Sequence, residues 1–350
     1  MKSAPIHFGS IAYILDDYLA NNSFSSVFFL VDENTHIHCL PLLLADLDHL
    51  SAYEILEIDA GEENKNIETV NNLWLALSEL EADRHSLVIN VGGGVLTDMG
   101  GFMASTFKRG IKFINIPTTL LSMVDASAGG KNGIDLEGMK NMVGTFNQPE
   151  MVLIDPKFLL TLEQRQVKSG LAEMLKHGLI KNRDHWDNLV QLPSYDAESL
   201  APFILDSIHI KEKVVDSDPY EKGERKVLNF GHTVGHAIES ESLETDFPLL
   251  HGEAIVIGMI IETFLSYDQE LISKVDLEEV CESFLSMYAL NTIDMKIFPN
   301  LMKWMKHDKK NQNNSISFSL INKIGSCRHD IICTEAEIRQ AFEKYNQWIG

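Results

Sequence analysis

The first half of the chain alternates short apolar runs with helical periods. Ser26 to Val31 (SVFFLV) predicts a buried strand, and Leu87 to Val91 (LVINV) predicts another, followed at once by Gly92, Gly93 and Gly94. Tyr53 to Ile58, Ile111 to Ile116 and Met151 to Ile154 read as further strands. Between them Leu40 to Asp46 opens a helix, and Ile67 to Ala82 carries an amphipathic period. Strands alternating with helices predict a parallel α/β sheet. From about Leu160 helical periods take over: Leu162 to Lys181, Leu200 to Asp216, Gly231 to Ser242, Gly252 to Tyr267 and Leu277 to Leu290. Ser315 to Ile321 and Ser326 to Ile332 predict a late hairpin. The expectation is an α/β domain over residues 1–160 followed by a mostly α-helical domain over 161–350.

Bulk properties narrow the class. A length of 350 residues fits two domains, and a hydrophobic content of 45% is that of a globular protein. The longest apolar helical run, Ala254 to Leu265, is interrupted by Glu262 and falls short of the roughly 18 apolar residues a membrane span needs. Met1 to Ser10 has no apolar stretch of signal-peptide type. The four cysteines are scattered without CxxC spacing, which predicts a reduced, cytoplasmic protein. A formal charge of −22 repels nucleic acid and anionic lipid. It repels an anionic small substrate as well, so a site for one must gather cations locally.

Three segments carry candidate chemistry. VGGGVLTDMGGF, Val91 to Phe102, places glycines directly after a buried strand. Such glycines let backbone approach a diphosphate, and a following helix N-terminus favours its charge. The alternative is a plain strand-to-helix turn. Pro117, Thr118 and Thr119, then Asp125, Gly129, Gly130 and Lys131, follow the next strand. They form either a polar binding loop or a helix capped by a threonine. Third, Glu173 lies in a helical period, His232 and His236 lie four apart, and His251 opens another period. One glutamate and two histidines meet the ligand count of a catalytic zinc-type site. With 13 histidines in the chain, hydrogen-bonded structural residues are the competing explanation.

Seven segments together resemble the 3-dehydroquinate synthase family of sugar-phosphate cyclases. They are VGGGVLTDMGGFMASTFKRG, INIPTTLLSMVDASAGGKNGID, GMKNMVGTF, SGLAEMLKHG, KVLNFGHTVGHAIES, LLHGEAIVIGM and MKHDKKN, within about residues 26–325 and in the family's order. The resemblance implies a Rossmann-like NAD-binding domain, a helical metal- and substrate-binding domain with the active site in the cleft between them, and a homodimer. It implies Glu173, His232 and His251 as ligands of one divalent metal, zinc or cobalt. It implies NAD contacts at Asp32, Glu62, Lys65, Gly92, Gly93, Gly94, Asp98, Thr118, Thr119, Leu121, Asp125, Lys140, Phe158, Thr161 and Leu162. Lys131, Lys176, Lys211, Arg225, Asn229 and His236 are implied in catalysis, and Asn141 and Lys309 in substrate binding, with Lys310 competing for the role of Lys309. Arg109 is implied to reach the neighbouring subunit's phosphate site. Asn147, where an aromatic is commoner, and the longer loop Leu243 to Pro248 depart from the pattern without touching an implied functional residue.

The implied reaction is the second step of the shikimate pathway towards aromatic amino acids. It converts 3-deoxy-D-arabino-heptulosonate 7-phosphate to 3-dehydroquinate and phosphate, through transient oxidation by NAD, elimination, re-reduction and aldol closure. The substrate is doubly anionic, so Lys131, Lys176, Lys211, Arg225 and Lys309 supply the local cations that the charge of −22 demands. His236 is the candidate proton relay. The competing expectations are another sugar-phosphate cyclase, whose substrate lacks the carboxylate, and a glycerol-type metal-dependent alcohol dehydrogenase.

Overall fold

The computed structural model describes residues 4–126, 129–137, 139–243, 245–308 and 316–350. The chain divides into two compact units, Met1–Val167 with Asp196–Ile208, and Lys168–Tyr195 with His209–Gly350.

In the first unit the chain runs through β1 (Ile6–Phe8), α1 (Ala12–Asn21), β2 (Val27–Asp32), α2 (Glu33–His38), α3 (Leu40–Leu44), β3 (Glu54–Ile58), α4 (Ile67–Glu79), β4 (Leu87–Gly92), α5 (Gly94–Thr106), β5 (Lys112–Pro117), β6 (Lys131–Leu136), β7 (Met139–Phe146) and β8 (Val152–Ile154). Six strands form one sheet in the order β1-β8-β5-β4-β2-β3, and every pairing in it is parallel. The predicted α/β class is therefore what folds. Strands β2 and β4 are almost wholly buried, which is why they read as continuous apolar runs. Helix α4 starts where the Asn66 side chain accepts the Thr69 amide at 3.0 Å. It turns Val70, Leu73 and Leu77 into a core shared with Phe28, Leu30, Val88 and Phe113.

The hairpin β6–β7 is among the elements not foreseen. The segment after Gly130 is not a loop: β6 pairs antiparallel with β7, with Gly133 opposite Gly144. Its sequence, KNGIDL, has too little alternation to announce a strand. The departing Asn147 is absorbed here, its Nδ2 donating to Ser105 Oγ at 3.0 Å.

The second unit takes α6 (Gln164–Lys181) from Lys168 on, α7 (Arg183–Val190), the part of α8 (Ala197–Ser217) from His209 on, α9 (His232–Ser242), α10 (His251–Asp268), α11 (Lys274–Met287), α12 (Phe298–Asp308), the hairpin β9 (Ile316–Lys323) and β10 (Ser326–Cys333), and α13 (Glu335–Ile349). Helix α10 is its axis: of 18 residues only His251, Glu253, Tyr267 and Asp268 escape burial. It packs against α9, α11, α13 and β9. A helix apolar on every face reads as a core helix. Among the described residues no helix is long and apolar enough to cross a membrane.

Candidate functional site

The first unit gathers most of its sequence-predicted residues at the carboxyl ends of its parallel strands. The chain leaves β2 outward to β3 and returns to β4 on the other side of β2, so the order reverses between β2 and β4. Crevices at such a reversal are where open α/β sheets bind ligands. Asp32 ends β2 and Gly92 ends β4. Helix α5 begins at Gly94 with Gly93 as an N-cap that offers no side chain, leaving its first amides without a side-chain acceptor. These amides and the helix dipole suit a diphosphate. Asp32 is itself engaged, accepting the Thr35 amide at 2.8 Å as the N-cap of α2. At the end of β5, Thr118 N donates to Gly92 O at 3.0 Å, and Thr119 Oγ1 accepts the Ser122 amide at 3.2 Å. Leu121 follows, and Asp125 lies in a short wide-turn helix over Ser122–Ala126. After β8, Phe158 is buried, while Thr161 is exposed and Leu162 half-buried.

Beside this edge Lys65 is buried at 4% exposure and donates to both Asp98 Oδ2 and Asn141 Oδ1, each at 2.8 Å. Lys140 Nζ lies 3.3 Å from Glu62 Oε1. Burial works to lower the Lys65 ammonium, but the carboxylates of Asp98 and Glu62 outweigh it and hold the group charged. Burial in turn raises the Asp98 carboxyl despite that lysine. Glu62, Lys65, Asp98, Lys140 and Asn141 are thus one charged cluster. Asn141, expected against substrate, stands with the residues expected against NAD. Lys131, at the start of β6, and Arg109 are exposed.

In the second unit Glu173 on α6 is fully buried, and neither of its oxygens receives a well-aligned hydrogen bond. His232 Nε2 lies 3.5 Å and His251 Nε2 3.6 Å from Glu173 Oε1. The other ring nitrogens are already engaged: His232 Nδ1 is 3.1 Å from Phe230 O, and His251 Nδ1 is 3.1 Å from Glu239 Oε2. Each imidazole therefore turns Nε2 towards the same carboxylate. His236 stands beside them, its ring centre 5.0 Å from that of His232 and 5.8 Å from that of His251. One carboxylate and two oriented imidazoles suit a divalent ion such as zinc or cobalt. An under-satisfied buried carboxylate at their meeting point is the space such an ion would fill.

Burial and mutual charge shift all three of these groups. Burial alone would raise the Glu173 carboxyl, but Lys176, His232 and His251 hold it well below the usual carboxylate range. Burial and the neighbouring Lys176 push His232 well below its ordinary value. His251, despite burial, is lifted to about 9 by Glu239 and Glu173.

Among the described residues of this unit, Lys176, Lys211 and Arg225 are buried. Lys176 forms an ion pair with Glu173 one turn away. Arg225 and Asn229 sit on a 3-10 turn, Glu224–Asn229. The turn is held by Asp218, whose carboxylate accepts the amides of Lys222 at 3.0 Å, Gly223 at 2.7 Å and Arg225 at 3.2 Å. Arg225 Nη1 donates to Pro219 O at 2.9 Å, and Asn229 Nδ2 to Glu221 Oε1 at 2.9 Å. Lys309 and Lys310 lie outside the described residues.

Two family models match adjoining stretches of the chain: 3-dehydroquinate synthase N-terminal over residues 55–169, and 3-dehydroquinate synthase C-terminal over residues 170–311. The chain belongs to the 3-dehydroquinate synthase family. It is 40% identical over 338 residues to the 3-dehydroquinate synthase of Parabacteroides distasonis, covering 96% of each chain. A solved structure of 2-deoxy-scyllo-inosose synthase, in complex with carbaglucose-6-phosphate, NAD+ and Co2+, superposes with a TM-score of 0.85 at 25% identity, over 98% of this chain and 99% of that one. A Streptomyces hygroscopicus 2-epi-5-epi-valiolone synthase with NAD+ and Zn2+ bound gives a TM-score of 0.83 at 25% identity, over 99% and 98%. The fold class and the pairing of NAD with one divalent metal, both expected from the motifs, are in line with these relatives.

Sequence reasoning missed the supporting carboxylates. Glu239 lies three residues after His236 and seven after His232, on one helical face, so its spacing was a usable signal. Asp218 and Glu221 had no signal beyond a polar loop.

Proposed function

We propose that this protein is a 3-dehydroquinate synthase, converting 3-deoxy-D-arabino-heptulosonate 7-phosphate to 3-dehydroquinate and phosphate in the second step of the shikimate pathway. The observation that carries the site assignment is the convergence of His232 Nε2 and His251 Nε2 on buried Glu173. Residues 1–160 bind NAD and residues 161–350 hold the metal and the substrate. When bound, NAD supplies a reversible hydride acceptor, and the divalent ion supplies a Lewis acid that acidifies a substrate hydroxyl.

Glu173, His232 and His251 would hold the metal, and Phe230 O and Glu239 engage the two Nδ1 atoms so that both Nε2 atoms turn to Glu173. Arg225 presents a planar fork to the substrate carboxylate, seconded by Lys211. Both are buried, where a cation attracts an anion more strongly than in water. Lys176 holds the carboxylate of Glu173 and adds positive charge beside it. Asn229 orients a hydroxyl through its amide, which Glu221 steadies. His236 takes up and returns the hydroxyl proton next to the metal ligands. Lys131, Asn141 and Lys309 complete the cationic and polar set for the phosphate.

Glu62, Lys65, Asp98 and Lys140, with Asp32, the Gly92–Gly94 turn, Thr118, Thr119, Leu121, Asp125, Phe158, Thr161 and Leu162, bind NAD. The reaction takes place in the cytoplasm. Two copies assemble, and Arg109 reaches the phosphate of the neighbouring site. Its backbone supports this: Lys108 (φ 47°) and Arg109 (φ 69°) are consecutive left-handed residues without glycine's freedom. Such strain gathers at functional positions.

Purified protein with NAD and a divalent metal is expected to release phosphate from the heptulosonate phosphate with no net rise in the NADH band. Stoichiometric NADH would instead mark an alcohol dehydrogenase. Turnover of sedoheptulose 7-phosphate in preference would mark a different sugar-phosphate cyclase. Arg109→Ala is expected to lower turnover without changing metal content, and an unchanged turnover would remove it from the site.

A further inference from the structure

Glu262 takes no part in the chemistry above. It stands three turns along α10 from His251, inside the apolar stretch, and is 0% exposed. A carboxylate in such a place is costly unless donors meet its oxygens. Here they are met by backbone: Oε2 accepts the Gly231 amide at 2.7 Å, and Oε1 accepts the Val234 amide at 3.1 Å. Gly231 is the N-cap of α9 and Val234 its third residue. In a capping box these two amides are satisfied by the side chains of the helix's own cap and third residue. Gly231 and Val234 have no side chain able to do so, and α9 has no side-chain cap of its own. Glu262 performs both halves of the box from another helix, and it sets a negative charge at the positive end of α9.

The two backbones also touch. Gly231 is left-handed at φ +79°, and a Cβ there would meet Met259 Cγ at 2.4 Å. A Cβ on Gly258 would lie 2.0 Å from Gly231 O. The start of α9 is therefore located by α10 through a charged cap and a glycine contact. The residue that begins α9 is His232, and the residue that begins α10 is His251.

We propose that Glu262 is a positioning residue for the metal site, a cap lent by α10 that sets where His232 and His236 stand relative to His251 and Glu173. This rests on the metal assignment made above. It is tested by titrating Co2+ into the full-length, chelator-treated chain and recording affinity and the visible absorption band, with circular dichroism and NAD affinity alongside. Glu262→Gln keeps one acceptor and sets an NH2 group against the second amide, whereas Glu262→Asp keeps the charge and withdraws it by one methylene. Both are expected to fold and bind NAD as the wild type does, while Co2+ affinity falls by about 10- to 100-fold and the band changes shape. Affinity within about twofold of wild type with an identical band would overturn the proposal, given how far supporting residues usually move metal binding. So would failure of both variants to fold, which would assign Glu262 to the fold alone. Wild type and His251→Ala serve as controls. Tight stoichiometric binding by wild type that is lost in His251→Ala upholds the metal assignment whatever Glu262 does. Undiminished binding by His251→Ala would sink that assignment itself.

Discussion

His251 is held between two carboxylates, with Nδ1 3.1 Å from Glu239 Oε2 and Nε2 3.6 Å from Glu173 Oε1. Glu239 is almost fully buried, so its charge is little screened. It fixes the tautomer and the ring plane of His251. The prediction is that Glu239→Gln folds normally but binds divalent metal about 10- to 100-fold more weakly, the usual cost of losing a carboxylate behind a histidine ligand. Metal content after dialysis against a graded chelator series checks this, and unchanged retention would count against it.

Lys65 is the buried counter-ion of Asp98, itself 17% exposed on its side chain. Removing one partner leaves a poorly solvated charge behind. Lys65→Met is predicted to cost on the order of 2–3 kcal/mol, discounted from a fully buried pair because Asp98 keeps some solvent. Urea unfolding measures the loss. NAD affinity should fall in the same variant while metal binding does not, because the lysine and the proposed metal ligands lie in different units.

Asp218 anchors the turn that carries Arg225 through three backbone amides. Those amides hold its carboxyl below the ordinary 3.8. The folded value is depressed, so the stabilisation is present above 3.8 and is lost as pH falls through the folded value. Asp218→Asn is therefore predicted to unfold more readily than wild type at neutral pH, with the difference shrinking below that value. Its KM for the anionic substrate should rise by about tenfold, as expected for loss of hydrogen bonds to a charged group. A pH-independent stability difference would contradict this account.

Gly258 faces backbone rather than a flexible side chain, with Gly231 O 2.0 Å and Gly235 N 2.7 Å from where a Cβ would be. Gly258→Ala must push α9 away from α10. The expected loss is about 3 kcal/mol or more, the upper end of overpacking costs, visible as a lower urea midpoint. A variant as stable as wild type would show that the two helices are not in the close contact described.

Legibility followed periodicity. LVINV was readable as a strand because both its faces are covered, and the glycines after it marked the turn into α5. The hairpin β6–β7 was not, because KNGIDL has no clean alternation to set against its loop-like glycines. Helix α13 went unread although Thr334 and Glu337 form a capping box, since that signal is short and lies far from any motif. The ligand trio was visible as residue types, yet only folding shows that two Nε2 atoms turn to one carboxylate. Glu262 was visible only as a break in an apolar run. Its partners are main-chain amides, which leave no mark in a sequence.

That borrowed cap has a consequence for assembly. Helix α9 is 11 residues long and lacks a side-chain cap, so by itself it is marginal in water. The carboxylate that completes its first turn follows 31 residues after Gly231 and 28 after Val234. The first turn of α9 is therefore capped only when α10 is paired with it. His232 at the start of α9 and His251 at the start of α10 thus depend on one and the same pairing of helices, and so does the proposed metal pocket between them.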